Sequence, residues 1–176
     1  MKSRIVKDEV VYTGKICRVH KINLEMAPGQ VVDRDLVELS DAVVVVPVLA
    51  DSSVVMIRNE RFAVGQDLLE FPAGKIDGDE DPHACAAREL AEETGYSAGS
   101  LIRLGGFYTS PGAITEYIHA FLATNLVEGE QNLEAHERIN VEVIGYSQLV
   151  EMIRSGELHD AKSIAAWALW RVYEGG

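Results

Sequence analysis

The chain has 176 residues, 47% of them hydrophobic and 25% charged, with a formal net charge of −12. That profile suits one soluble globular domain with a small appendage, and its acidity argues against a nucleic-acid duplex as partner, because duplex binding relies on Lys and Arg meeting phosphates. No apolar run reaches the ~18 residues that would span a bilayer, and Met1-Lys2-Ser3-Arg4 leads into alternating polar residues, not an apolar signal segment.

Residues 8–38 alternate polar and apolar, as at Ile22, Leu24 and Met26, around a turn at Ala27-Pro28-Gly29-Gln30. That period predicts an antiparallel sheet of about three short strands, too small to be stable alone. Residues 42–50 are a continuous apolar run of the kind a central buried strand shows, and residues 53–58 are expected to pair with it across Asp51-Ser52. Residues 68–72 predict a further strand, running into a glycine-rich loop over residues 73–78. A helix follows, with Asp81 as N-cap, Pro82 at its first position and Gly95 as its stop. Its expected apolar stripe is Ala84, Ala87, Leu90 and Ala91, leaving Glu89, Glu92 and Glu93 on the other side. Strands near 101–108, 115–123 and 139–145 come next, then a short helix near 147–155 and a final one over 161–173. Trp167 and Trp170 in that last helix read as packing anchors. Mixed sheet between helices makes the chain α+β, with a sheet subdomain over 1–40 and a larger domain over 41–176. Cys17 and Cys85 do not make a disulfide framework, so reduced thiols and a cytoplasmic location are expected. The five histidines are scattered, with no pair at ligand spacing on a helix, so zinc is not indicated.

The helix beginning at Pro82 carries the chemistry. Arg88-Glu89-Leu90-Ala91-Glu92-Glu93 crowds three carboxylates into one turn, with Glu93 four and Glu92 three residues after Glu89, so all three share a face. Like charges at that spacing repel by about 0.2–0.5 kcal/mol per pair, and they stand at the helix end where the macrodipole disfavours acids. A divalent cation over the cluster relieves both, and oxygen-only ligands point to hard Mg²⁺ or Mn²⁺. From Gly74 there are five residues to Glu80, then seven to Arg88-Glu89-Leu90, then Ala91, Glu92-Glu93, Thr94 and Gly95-Tyr96. This segment resembles the signature box of the Nudix hydrolase superfamily, with every defining position filled.

The resemblance, which covers roughly residues 40–175, implies an α/β/α sandwich in addition to the small N-terminal antiparallel β-sheet read from the alternation, and a reaction in which water attacks one phosphorus of a diphosphate. By the same resemblance Glu89 and Glu93 ligate the metal, Glu92 assists directly or through water, and the Ala73 carbonyl is a further ligand. Arg88 would orient a carboxylate, and Glu80 would fix the loop to the helix. Four more stretches resemble the ADP-ribose pyrophosphatase branch: Arg58-Asn59-Glu60-Arg61, Leu69-Glu70-Phe71-Pro72-Ala73-Gly74, Ser110-Pro111-Gly112-Ala113-Ile114-Thr115-Glu116 and residues 156–163. That branch implies cleavage of ADP-ribose to AMP and ribose 5-phosphate. Arg61, and more weakly Arg58, would meet the diphosphate, with Pro111 and Gly112 in a substrate loop and Glu116 near the terminal ribose. The resemblance also implies a homodimer whose N-terminal sheets reach across to the partner's site.

Relatives stack the nucleobase on aromatic residues of the N-terminal sheet, whereas Tyr12 is the only Phe, Trp or Tyr before Phe62 here. Base selectivity is therefore open, and hydrolysis of GDP-mannose or of nucleoside diphosphate sugars broadly is the alternative. A non-catalytic ADP-ribose-binding sensor sits less well with a complete carboxylate set. Branch members often carry two acidic residues two positions apart in the loop before an apolar strand. Counted back from Ile139, the second falls on Glu137 and the first on Ala135, which takes neither proton nor metal. Glu137 is the favoured general base and a further metal ligand, with Glu134 or a box glutamate, Glu92 first, as the other candidates.

Overall fold

The structure, a computed structural model, describes residues 3–133 and 138–175. Alternating side chains carry the chain through β1 (Arg4–Thr13), β2 (Arg18–Ala27) and β3 (Gln30–Glu38), an antiparallel sheet in the order β1-β2-β3. These strands have 9 or 10 residues and start at Arg4, so they are longer than the short strands expected from residue 8. Pro28 and Gly29 make the β2–β3 turn, with Ala27 opposite Gln30. Gly29 has φ 79°, the left-handed value that the residue after proline needs in a type II turn. His20 on β2 ties the sheet together, its Nδ1 2.7 Å from Asp8 on β1 and its Nε2 2.9 Å from Glu38 on β3. Hydrogen bonding to Asp8 first, and then to Glu38, raises its pKa.

The chain divides into two compact units, the first running to Asp41 and taking in Tyr108–Tyr117. The linear pattern puts the break after residue 40 and carries no mark of the return of 108–117. Backbone bonds within this unit explain the return. Val37 N–H donates to Ala113 O at 2.8 Å, and Thr115 N–H to Val37 O at 3.1 Å.

The second unit holds β4 (Ala42–Pro47), β5 (Val54–Arg61), β6 (Gln66–Glu70), β7 (Ala73–Lys75), α1 (Pro82–Thr94), β8 (Tyr96–Tyr108) and β9 (Tyr117–Glu128) apart from Tyr108 and Tyr117 themselves, β10 (Ile139–Ile144), α2 (Tyr146–Ser155) and α3 (Ala161–Tyr173). All six residues of β4 are buried. Val43 and Val45 pack with Cys85, Ala86 and Leu90 of α1, while Val44 and Val46 pack with Ala166 and Trp170 of α3. Helices therefore cover both faces of the mixed sheet β7-β4-β9-β8, in which β4 runs parallel to β9 and antiparallel to β7. This is the expected α/β/α layering, with Trp170 in the core and Trp167 packed against it.

Three local expectations are corrected. First, β5 does not pair along β4. Among the described residues the bridge of Val48 to Val54 is isolated, Ser52 turns the chain at φ 66°, and β5 enters a separate antiparallel sheet, β10-β5-β6. Both strands are apolar enough to be buried, so β5 meets β4 through Val54 and Met56 against Val44 and Val46, by side chains and not by a ladder. Second, residues 73–75 are not loop but strand, because the backbone of β4 pairs Ala42 with Lys75, Val43 with Gly74 and Val44 with Ala73. Third, the inward face of α1 is Cys85, Ala86, Glu89, Leu90, Glu93 and Thr94, with Ala84 and Ala87 exposed. Small residues line several sides of this helix, so an apolar stripe can be drawn on more than one face. Contact with β4 and β7 selects the face that takes two carboxylates inward.

The ends of α1 follow the sequence expectation. Asp81 accepts from the N–H groups of His83 at 2.9 Å and Ala84 at 3.3 Å, and Gly95 closes the helix at φ 78°. Among the described residues no helix is long and apolar enough to cross a membrane. At Gly95 a Cβ would stand 2.8 Å from Gly129 O as well as in the left-handed region. Gly95→Ala should therefore lower stability by about 1–3 kcal/mol, seen as a fall in the thermal midpoint.

Candidate active site

Gly74 on β7 lies so close to α1 that a Cβ there would overlap the Glu89 carboxyl group. Only glycine leaves that space, which explains why the strand carries it. One residue back, Ala73 N–H donates to Glu93 Oε2 at 2.8 Å. Glu89 and Glu93 are 9% and 3% exposed, and acidic groups so buried must be met by donors or cations.

Arg88 is the cation at the centre. Its Nε and Nη2 donate to the two oxygens of Glu80 at 3.0 and 2.9 Å, and its Nη1 donates to Glu89 at 2.7 Å and Glu92 at 3.0 Å. It therefore orients three carboxylates where the sequence suggested one. Hydrogen bonding from Arg88, against a smaller opposing effect of burial, lowers the Glu80 pKa to about 2. Asp77 N–H also donates to Glu80 at 3.4 Å, joining the loop before the helix to Arg88. The neighbouring Cys85 thiol donates to Lys75 O at 3.2 Å, and burial pushes its pKa up to about 12. It is a packed thiol and not a nucleophile.

The donors gathered here are carboxylate oxygens with the backbone of Ala73 beside them, and the space at Gly74 opens onto the Glu89 carboxyl. That chemistry fits a hard divalent cation and not zinc. Among the described residues no three His, Cys, Asp or Glu side chains form a ready metal cluster, because Arg88 draws Glu89 and Glu92 to itself while Ala73 N–H holds Glu93. A cation would compete with Arg88 for two of these carboxylates.

Arg61 donates from Nε and Nη2 to both oxygens of Glu70, at 2.7 and 2.6 Å. Its pKa is raised by hydrogen bonding to Glu70 and, more weakly, by the charges of Glu93 and Asp160, so it stands within electrostatic reach of the carboxylates. Arg58 is in a cross-strand ion pair with Glu142, at 2.5 and 3.2 Å. Pro111 and Gly112 are exposed and Glu116 is half-buried, all in the first unit. Glu137 and its rival Glu134 lie outside the described residues. The segment leading to them is anchored on α1, where Gln131 Nε2 donates to Glu93 O at 2.6 Å and Asn132 N–H to Glu92 O at 3.0 Å.

Sequence reasoning missed Glu70 and Lys162. Glu70 is buried and accepts from Lys162 as well as from Arg61. Burial works to raise its pKa, but the two cations outweigh burial and hold it below the ordinary value. Both residues fall in stretches that resembled the branch, yet they are 92 residues apart, and no linear pattern pairs them.

A NUDIX domain family model matches residues 38–167. The chain is 32% identical over 168 residues to an ADP-ribose pyrophosphatase of Bacillus subtilis (strain 168), covering 94% of this chain and 91% of that one. It is 40% identical over 126 residues to a GDP-mannose pyrophosphatase of Shigella flexneri, covering 64% of this chain and 63% of the relative. A solved structure described as an ADP compounds hydrolase superposes with a TM-score of 0.84 at 23% identity, covering 99% of this chain and 97% of that one, and so shares the fold.

The Glu80–Arg88 pair carries a pH signature. Because the Glu80 pKa falls from 4.5 to about 2 on folding, the pair's contribution to stability is complete above about pH 4.5 and is lost as the pH drops toward 2. Glu80→Gln should be less stable than wild type near neutrality, and the gap should close across that acid window. Chemical denaturation at stepped pH measures it, and a gap that stays constant across the window would refute it.

Proposed function

The chain belongs to the NUDIX domain family, and from that premise we propose that it is a hydrolase splitting ADP-ribose into AMP and ribose 5-phosphate at the carboxylate cluster of α1. The observation that carries this reading is the complete set Glu89, Glu92 and Glu93, organised by Arg88 and admitted against β7 by Gly74. Similarity to an ADP-ribose pyrophosphatase over nearly the full length of both chains supports the substrate.

Glu89, Glu93 and the Ala73 carbonyl would hold Mg²⁺ or Mn²⁺, with Glu92 assisting. When bound, the cation neutralises charge on the diphosphate oxygens. Arg61 offers its outward N–H donors to the diphosphate, in the geometry a guanidinium suits, and Arg58 is the weaker candidate. Arg88 keeps Glu89 and Glu92 in line. Glu137 takes the proton from the attacking water, and the anchoring of Gln131 and Asn132 on the end of α1 supports a loop that starts beside the carboxylates. Pro111, Gly112 and Glu116 have their substrate role from the resemblance alone. The free cysteines, Cys17 and Cys85, suit a reducing cytoplasm.

One observation favours a second reading. Identity to a GDP-mannose pyrophosphatase reaches 40% over the shorter stretch it covers, so a GDP-sugar or a wider range of nucleoside diphosphate sugars is the competing substrate. A panel of these compounds with Mg²⁺, read by product chromatography, decides it. ADP-ribose should give AMP faster than GDP-mannose or any nucleoside triphosphate gives product, and excess EDTA should stop the reaction. Glu93→Gln should lose most turnover. Glu137→Gln should lose about 10²–10⁴ in rate with ADP-ribose binding kept, while Glu134→Gln should change turnover little. Equal, small effects of those two substitutions would move the base into the box.

The N-terminal sheet supports a homodimer. Ile5, Val6, Val10, Val11 and Tyr12 of β1 are all exposed, and a surface of that kind is expected to be covered. Light scattering should give twice the 19.3 kDa chain mass, and an active monomer would contradict it.

A further inference from the structure

Four charged side chains meet where α3 begins. Glu70, at the end of β6, accepts Arg61 on both oxygens and Lys162 Nζ besides. Lys162 also donates to Asp160 Oδ1 at 3.0 Å, and Asp160 Oδ2 caps α3 by accepting from the Ser163 N–H at 3.0 Å and hydroxyl at 2.5 Å. Ser163 Oγ in turn accepts Phe71 N–H at 2.7 Å, so the start of α3 holds the chain that continues through Pro72 into β7. Two cations face two carboxylates, and the group is neutral.

Its members are not equally buried. The side chains of Glu70, Asp160 and Lys162 are 1%, 13% and 16% exposed, whereas Arg61 is 40% exposed. Arg61 is thus the member that reaches outward. Two of its five N–H groups donate to Glu70, and among the described residues the other three donate to none. Lys162 has no such outward role, since its ammonium lies between Glu70 and Asp160.

We propose that Lys162 is a positioning residue for the diphosphate: by sharing the charge of Glu70 it leaves Arg61 with cationic field and donors for an anionic substrate. This rests on the assignment of Arg61 to the diphosphate made above. Without Lys162, one guanidinium must neutralise a buried carboxylate, and Arg61, Glu70 and Asp160 together carry one excess negative charge. Glu93 already contributes negative potential at Arg61, so a polyanionic substrate is then repelled where it should be gripped.

Lys162→Met keeps the buried aliphatic stem and removes the charge, while Lys162→Arg keeps the charge. In the full-length protein Lys162→Met should raise KM for ADP-ribose about tenfold, a part of what a charged hydrogen bond contributes, with kcat changed by less than about twofold. Lys162→Arg should restore most of the loss. The KM effect should vanish when Lys162→Met is made on an Arg61→Ala background, because a residue acting through Arg61 has nothing left to act on. A structural role predicts instead the same KM factor on both backgrounds, or a lower thermal midpoint with KM unchanged, and either result overturns the proposal. Calorimetric titration with inorganic pyrophosphate and Mg²⁺ separates this from the substrate assignment. Weaker pyrophosphate binding by Lys162→Met supports the proposal even if ADP-ribose proves not to be the substrate. Equal affinity, or no binding by wild type, overturns it.

Discussion

The approach of α1 to β7 at Gly74 governs where every charged group of the site can lie. With no side chain on that strand position, the helix comes near enough for the Glu89 carboxyl to occupy the place of a Cβ and for Ala73 N–H to reach Glu93. Two acidic groups are thereby taken out of water, and that burial creates the need for donors, Arg88 for Glu89 and the Ala73 N–H for Glu93. A carboxylate left unpaired in such a place would neutralise itself by taking up a proton. Arg88 donates to Glu89 and the Ala73 N–H to Glu93, and these bonds hold the two groups in place. The cluster is built by holding negative charge where the fold would otherwise expel it.

The same physical solution appears a second time with the signs exchanged. At Arg88 one guanidinium serves three carboxylates, whereas at Glu70 one buried carboxylate serves a guanidinium and an ammonium. The chain from Glu70 to Ala73 joins the two arrangements, its ends bonded to Arg61 and to Glu93 and its Phe71 N–H held by Ser163 on α3. The segment that links the two is therefore pinned from both sides. Such pinning limits the reorganisation required when substrate arrives.

The rigidity behind this comes from β4. Its alternate valines pack against α1 on one face and against α3 on the other, while β7 and β9 satisfy its backbone. The strand that pairs with Gly74 is thus the strand that positions both helices, and a shift of α1 relative to β7 would have to disturb the centre of the core. A close-packed interior resists displacements of that kind.

Much of this was legible from residue order. Helix α1 was bounded by Asp81, Pro82 and Gly95 because capping depends on neighbours a few residues apart, and α3 was placed at its observed limits. The three-stranded N-terminal sheet followed from period-2 alternation around Pro28-Gly29. The grouping of Glu89, Glu92 and Glu93 followed from helical periodicity, since local geometry alone puts them together. The pairing of β5 with β6 and β10, the return of 108–117 to the first unit, the inward face of α1 and the union of Arg61 and Glu70 with Lys162 were decided only in three dimensions. Each joins backbone or side chains far apart in sequence, or chooses between helix faces of similar polarity. Propensity and spacing carry information over about one helical turn or one hairpin, and beyond that range it is burial, backbone pairing and the neutralisation of buried charge that select the partner.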